Sequence, residues 1–249
     1  MIVPLKTAED LKSIRKAGRI IADCHKEIAR RITPGVTTLE IDRFVERFMM
    51  ERGAYPAQKG YKGYPYATCA AVNDVVCHGF PDSIPLMNGD IVTIDMVADV
   101  GGWKADSAWT YAIGTQTADT SRLLRIAKLA LRRGIAEAVP GKRIGDIGFA
   151  IQNCAQQAGY RVVDLFTGHG IGRFIHEPPE ILHRGSPGYG ERLEAGMVIT
   201  IEPIITEGRP AVQIERDGWT ARTVDGSRSA QFEHTIAITE KGPVILTRS

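Results

Sequence analysis

Five side chains stand where apolar strands should have none. Asp95 interrupts V-T-I-D-M-V, Asp106 sits in W-K-A-D-S-A-W, Glu202 closes T-I-E-P, and Glu233 heads Q-F-E-H-T-I-A-I. His169 lies in T-G-H-G-I-G, where glycines leave room around its ring. A carboxylate in an apolar strand is costly unless something positive meets it. Four carboxylates and one imidazole suit a pair of divalent cations with bridging carboxylates. Two such ions, about 3.5–4 Å apart, activate water and clamp a tetrahedral intermediate. Singly, each residue has a plainer reading: a strand Asp is more often met by a neighbouring N–H or an Arg. A histidine beside glycines is as often a packed loop residue as a ligand. Separate buried ion pairs would also account for the set.

The elements that must carry these residues are written twice. Residues 86–95 read L-M-N-G-D-I-V-T-I-D and residues 193–202 read L-E-A-G-M-V-I-T-I-E, each ending in an acid. Pro34, Gly35, Ile41 and Gly53 recur as Pro140, Gly141, Ile147 and Gly159 at a constant offset of 106. The periodicity predicts helices over 7–32 (Thr7 capping, Asp10 in the first turn), 38–52, 119–138 and 144–158. Candidate strands are 66–73, 91–99, 103–113, 161–165, 197–205, 211–216, 219–224, 231–239 and 243–247. Turn signals at Val100-Gly101-Gly102 and Asp217-Gly218 predict hairpins, the first bringing Asp95 and Asp106 onto adjacent strands. We expect two α+β halves, about 1–115 and 116–249, related by a pseudo-twofold axis within a single domain. They share one sheet and one core, with Asp95 and Glu202 face to face.

Composition narrows the classes. The chain has 249 residues, 43% hydrophobic and 24% charged, with a net charge of +2, too small to mark nucleic acid as the main partner. Charged residues begin at Lys6, so no signal-peptide core is expected, and no apolar run is long enough to span a membrane. The four cysteines, Cys24, Cys69, Cys77 and Cys154, lack C-x-x-C spacing and read as free thiols in a reducing compartment. A cytoplasmic protein is expected.

With these motifs in order, the chain resembles the short bacterial type I class of methionine aminopeptidases. The resemblance rests on V-N-D-V-V-C-H-G (72–79), I-V-T-I-D (91–95), A-D-S (105–107) and G-H-G-I-G-R-F-I-H-E (168–177). T-I-E-P (200–203), D-G-W-T (217–220) and Q-F-E-H-T (231–235) complete it, and it covers essentially the whole chain. It implies the pita-bread α/β fold, a central, mainly antiparallel sheet covered by helices. It further implies a metalloenzyme that removes N-terminal methionine from nascent polypeptides when the second residue is small.

The resemblance also assigns roles. Asp95, Asp106, His169, Glu202 and Glu233 would bind two divalent ions (Co, Mn, Fe(II) or Zn), Asp106 and Glu233 bridging them. Glu202 would also shuttle the proton of the attacking water. His176 would steady the scissile carbonyl, and His78 would contact the substrate backbone. Tyr61, Tyr64, Cys69 and Trp219 would line the methionine pocket, although aromatics taken singly are more often core. Gln58 and Ile175 replace a Cys and a Phe of some relatives and would alter the pocket's shape. A-D-S replaces G-D-T without losing the acid. Asn73, Val75 and Ser229 match positions where some relatives hold a monovalent cation. A monomer and a transient ribosome contact are implied, although no basic stripe marks a surface for the latter.

Rival readings are a prolidase- or aminopeptidase P-like Xaa-Pro peptidase and a non-catalytic pita-bread binding protein. The first usually carries an extra N-terminal domain for which this length has no room. The second loses ligands, whereas all five positions here hold competent ones. The type II form of the enzyme needs an inserted subdomain that the run from His183 to Glu233 cannot contain.

Overall fold

The computed structural model describes residues 3–248. α1 (Ala8–Arg31) opens on a reciprocal cap: the Asp10 N–H donates to Thr7 Oγ1 and the Thr7 N–H donates to the Asp10 carboxylate. Its stripe of Ile14, Ala17, Ile21, Cys24 and Ile28 is buried. α2 (Thr38–Met50) repeats the device with Thr37 and Glu40. α3 (Ala118–Glu137) and α4 (Ile144–Gln157) pack on the second half as α1 and α2 do on the first.

The repetition extends from letters to hydrogen bonds. The Gly35 N–H donates to the Leu86 carbonyl at 2.8 Å, and the Gly141 N–H to the Leu193 carbonyl at 2.9 Å. Leu86 and Leu193 return their N–H groups to Val36 and Lys142. Gly89 donates to Ile113 and Gly196 to Ile238 in the same way. Gly35 and Gly141 have φ of 95° and 91°, a region that strains any other residue. One turn has been built twice, at the mouth of each strand that leads to an acid.

Every strand pairing among the described residues is antiparallel. The strands Ile91–Val100 and Trp103–Ala112 form a hairpin about Gly101-Gly102, with Asp95 opposite Ala108 and Val97 opposite Asp106. Asp95 and Asp106 are therefore diagonal neighbours on one face, as the turn predicted. In the second half, Val198–Ile201 lies between His234–Thr239 and Gly168–Gly170.

Several expectations are corrected. The halves do not share one continuous sheet: among the described residues four separate sheets form, one of them pairing Val75–Cys77 of the first half with Ala221–Thr223 of the second, and an isolated bridge joins Trp109 to Phe232. The core is likewise two large clusters, touching at Trp109. The strand expected over 197–205 breaks after Ile201, because Pro203 has no N–H to continue a ladder and the Glu202 N–H turns to His183 Nε2 at 3.1 Å. The strand expected over 231–239 breaks at Phe232 and Glu233, where the Glu233 N–H crosses to the Ala108 carbonyl. Those expected at 66–73, 161–165, 211–216, 219–224 and 243–247 form over shorter spans. Val75–Cys77, Gly168–Gly170 and Glu177–Ile181 are strands that their brevity, glycines and prolines concealed.

Candidate metal centre

Both strand breaks feed one cavity. Asp95 and Asp106 reach it from the first hairpin, Glu202 from the end of Val198–Ile201, and Glu233 from the turn before His234–Thr239. The two halves are stitched together at this point. The Asp106 N–H donates to Thr235 Oγ1, which returns its proton to the Asp106 carbonyl, and Ser107 Oγ donates to the Glu233 carbonyl. Asp95, Asp106 and Glu233 each present a carboxylate oxygen, all within 4.8 Å of one another.

His169 completes the cluster from the short Gly168–Gly170 strand. Its Nδ1 lies 2.9 Å from the Gly170 carbonyl, which can only accept, so Nδ1 carries the proton. Nε2 is left with its lone pair facing Asp106 Oδ2 at 3.8 Å and Glu202 Oε1 at 3.6 Å. A backbone carbonyl that fixes the ring tautomer in this way is the usual support for a metal-binding histidine. The glycines allow close approach: a Cβ at Gly168 would stand 2.4 Å from the Thr200 carbonyl oxygen.

The charge balance decides between buried ion pairs and a cation site. Among the described residues, no Lys or Arg pairs with any of the four carboxylates. Asp95 Oδ1, Asp106 Oδ1 and Glu233 Oε1 are buried without a hydrogen-bond partner. Burial pushes Asp95 up to about 6 and Glu202 up to about 8. Burial, reinforced by the neighbouring acids, pushes Asp106 and Glu233 well above the usual carboxylate range. Burial, with His176 nearby, pushes His169 down to about 3, so its ring is neutral and competent to coordinate. Orphaned acceptor oxygens and a neutral imidazole aimed at one point are a donor set that divalent cations fit.

All eleven residues expected at the site line a single cavity of about 290 Å³. His176 stands beside His169, ring centroids 4.2 Å apart, and its Nδ1 is 2.8 Å from the Tyr61 hydroxyl. Burial lowers the basicity of His176, and holds His78 at about 4. His78 has a φ of 54°, an unusual conformation for a residue with a Cβ, and its ring meets Phe166 edge-on. Tyr64 is buried, its hydroxyl sharing its one proton between the Thr68 and Gly79 carbonyls, 2.9 Å from each, and it packs edge-on against Trp219. The Gln58 amide lies against Cys69 and Asp95, and Ile175 is buried in the wall. Asn73, Val75 and Ser229 converge elsewhere: the Ser229 N–H donates to the Asn73 carbonyl and its Oγ to the Val75 carbonyl.

Three supporting residues escaped the sequence reading. Thr200 Oγ1 donates to Glu202 Oε1 at 2.8 Å and accepts from the His169 N–H. Gln231 Nε2 lies 3.3 Å from Glu202 Oε2, and His183 receives the Glu202 N–H. Thr200 and Gln231 stand two residues before Glu202 and Glu233. Strand alternation places such residues on the same face as the acid, and that spacing was the available signal.

An antiparallel α/β fold built twice around an acid-rich cavity defines a metallopeptidase of the pita-bread type. Residues 12–240 match metallopeptidase family M24, and the chain belongs to that family. It is 45% identical to "Methionine aminopeptidase 1" of Bacillus subtilis over 98% of both chains. The crystal structure of a methionine aminopeptidase from Thermotoga maritima superposes with a TM-score of 0.98 at 40% identity, covering all of both chains. A prolidase from Pyrococcus furiosus is more distant, with a TM-score of 0.80 at 26% identity, and 98% of this chain covers 65% of that one.

Proposed function

We propose that the chain is a metal-dependent aminopeptidase that removes N-terminal methionine from peptides and nascent polypeptides when the second residue is small. The observation that carries this reading is the convergence of four carboxylates without a Lys or Arg partner and one neutral imidazole in a cavity whose walls include Val97, Leu165, Phe166, Ile175 and Trp219. Asp95, Asp106, His169, Glu202 and Glu233 would hold two divalent ions. When bound, the ions supply Lewis acidity, which makes water a nucleophile near neutral pH and polarises the scissile carbonyl. Their identity among Mn, Fe(II), Co and Zn follows availability.

The remaining steps belong to the chain's own groups. Glu202, oriented by Thr200 and Gln231, accepts the proton of the attacking water and returns it to the leaving amine. The Tyr61 hydroxyl donates to His176 Nδ1, leaving Nε2–H to donate to the oxyanion as it forms. His78 contacts the substrate backbone. Tyr64, Cys69 and Trp219 enclose the methionine side chain, and Tyr64 is held by its hydroxyl between the Thr68 and Gly79 carbonyls. The free α-amino group of a substrate would reach the donor cluster, which favours cleavage at a chain end. The reading includes one catalytic domain of two halves, about 1–115 and 116–249. It also includes a monomer in the cytoplasm and a transient contact with the ribosome. A monovalent cation near Asn73, Val75 and Ser229 would compete for the Asn73 and Val75 carbonyl oxygens that now accept from Ser229.

The test is turnover of a Met-Gly peptide against an Xaa-Pro peptide, before and after chelation and with metal added back. Cleavage of Met-Gly that is lost in chelator and restored by metal is expected. Preference for Xaa-Pro would reject the specificity, and full activity in chelator would reject the chemistry.

A further inference from the structure

The strands that hold the catalytic acids have a second face. Side chains alternate across a strand, so Asp106 facing the cavity sends Ser107, Trp109 and Tyr111 to the rear, and Glu233 does the same for Phe232 and His234. Behind them, between α1 and α3, lies a cleft of about 620 Å³, within the usual range for small-molecule sites. α1 presents Ala22, His25, Lys26 and Ala29 to it, and α3 presents Lys128, Leu131, Arg132 and Ile135, the same i, i+3, i+4, i+7 face on both helices.

Its charge is one-sided. Lys26, Lys128, Arg132 and Arg248 line the cleft, and no Asp or Glu does, in a chain whose net charge is only +2. Lys26 has a weak partner on its own helix, Asp23 at 3.6 Å. Among the described residues, Lys128 and Arg132 pair with no carboxylate. The Lys128 ammonium is partly withdrawn from water, 4.8 Å from the centre of the Trp109 ring and 4.9 Å from that of Phe232. Cation–π contact offsets only part of the cost of withdrawing a charge. The two histidines of the floor are engaged with neutral groups, His25 with the Tyr111 hydroxyl at 2.7 Å and His234 with Thr247 Oγ1 at 2.9 Å. The cleft therefore offers concentrated positive charge above a half-buried indole, and none of the proposed peptidase chemistry uses it.

We propose that this rear cleft binds a small organic anion. Its phosphate, sulfonate or carboxylate group meets Lys26, Lys128, Arg132 and Arg248, and its apolar or aromatic body rests on Trp109. The site lies one strand layer from Asp106 and Glu233 and is separate from the peptide cavity.

The probe is 1-naphthyl phosphate, titrated by calorimetry into the metal-loaded protein, with 1-naphthol and inorganic phosphate as comparators. Arg132→Glu and Ala29→Glu place an acid on exposed helical positions of the cleft wall without touching the catalytic cavity. One molecule of 1-naphthyl phosphate should bind per chain, and each variant should weaken it by about tenfold or more while peptide turnover stays unchanged. Naphthol and phosphate should each bind more weakly than the combined probe. Equal affinity in wild type and both variants would place the probe elsewhere and overturn the proposal. Phosphate binding as tightly as naphthyl phosphate would overturn the organic part of it. Tight binding of poly(U) that both variants abolish, with naphthyl phosphate ignored, would overturn it in favour of a polyanion-docking surface.

Discussion

Removing the metal should reverse the usual dependence of stability on pH. Burial holds Glu202 at about 8 and, with the neighbouring charges, holds Asp106 and Glu233 well above the carboxylate range, whereas Glu in an unfolded chain titrates near its reference of 4.5. The folded, metal-free protein therefore binds more protons than the unfolded chain between those values. Its stability is full below the unfolded pKa and falls as pH rises through the folded one. All six histidines have the opposite sign, since burial lowers each of them. They cease to contribute above about pH 6.5, where both states are neutral. The window from about pH 6.5 to 8 thus isolates the acids and stops short of the thiols. The full displacement of Glu202 corresponds to roughly 5 kcal/mol, of which roughly 2 kcal/mol falls inside this window, and Asp106 and Glu233 add to it. The assay is urea unfolding across the window, in chelator and in excess Mn(II). The chelated protein should lose about 2 kcal/mol or more, and the metal-loaded protein should not, because cations replace the protons. A chelated protein as stable at pH 8 as at pH 6.5 would mean that the acids have a compensating partner, and the reasoning would fail.

Three substitutions probe the supporting shell. Thr200→Val removes the hydroxyl that links Glu202 to His169 and should weaken metal retention by about 10- to 100-fold, read by competition with a chromophoric chelator. Tyr61→Phe deletes one hydrogen bond to His176 and should lower kcat/KM by about fivefold, roughly 1 kcal/mol, without moving the thermal midpoint. A shifted midpoint with unchanged kinetics would make Tyr61 merely structural. Gly168→Ala drives a Cβ against the Thr200 carbonyl and should cost about 1–3 kcal/mol of stability, measured by thermal unfolding, together with metal affinity.

The acids were legible because each contradicts its surroundings. A carboxylate in V-T-I-D-M-V or at the end of V-I-T-I-E has no local reason to be there, and such conflicts between pattern and residue gather at functional sites. The duplication was legible because its turns need glycines at fixed places, and Gly35 and Gly141 do adopt the left-handed conformation that only glycine takes freely. His78 and His176 carried no such signal and entered through family resemblance, since a loop histidine is ambiguous in a single sequence. The strand breaks at Glu202 and Glu233 were illegible for a different reason. The apolar pattern runs through both, and although Pro203 marks the end of the first, it is the tertiary partners, His183 and Ala108, that divert the N–H groups. Those diversions turn the two acids into the cavity.

The donor set is divided along the chain. Asp95 and Asp106 precede the connection at residues 113–117, and His169, Glu202 and Glu233 follow it. Cutting that short connection would leave neither fragment with the full donor set. Mixed fragments would recover peptide turnover only on reassociating, and its rise with concentration would time the reunion of the two pieces.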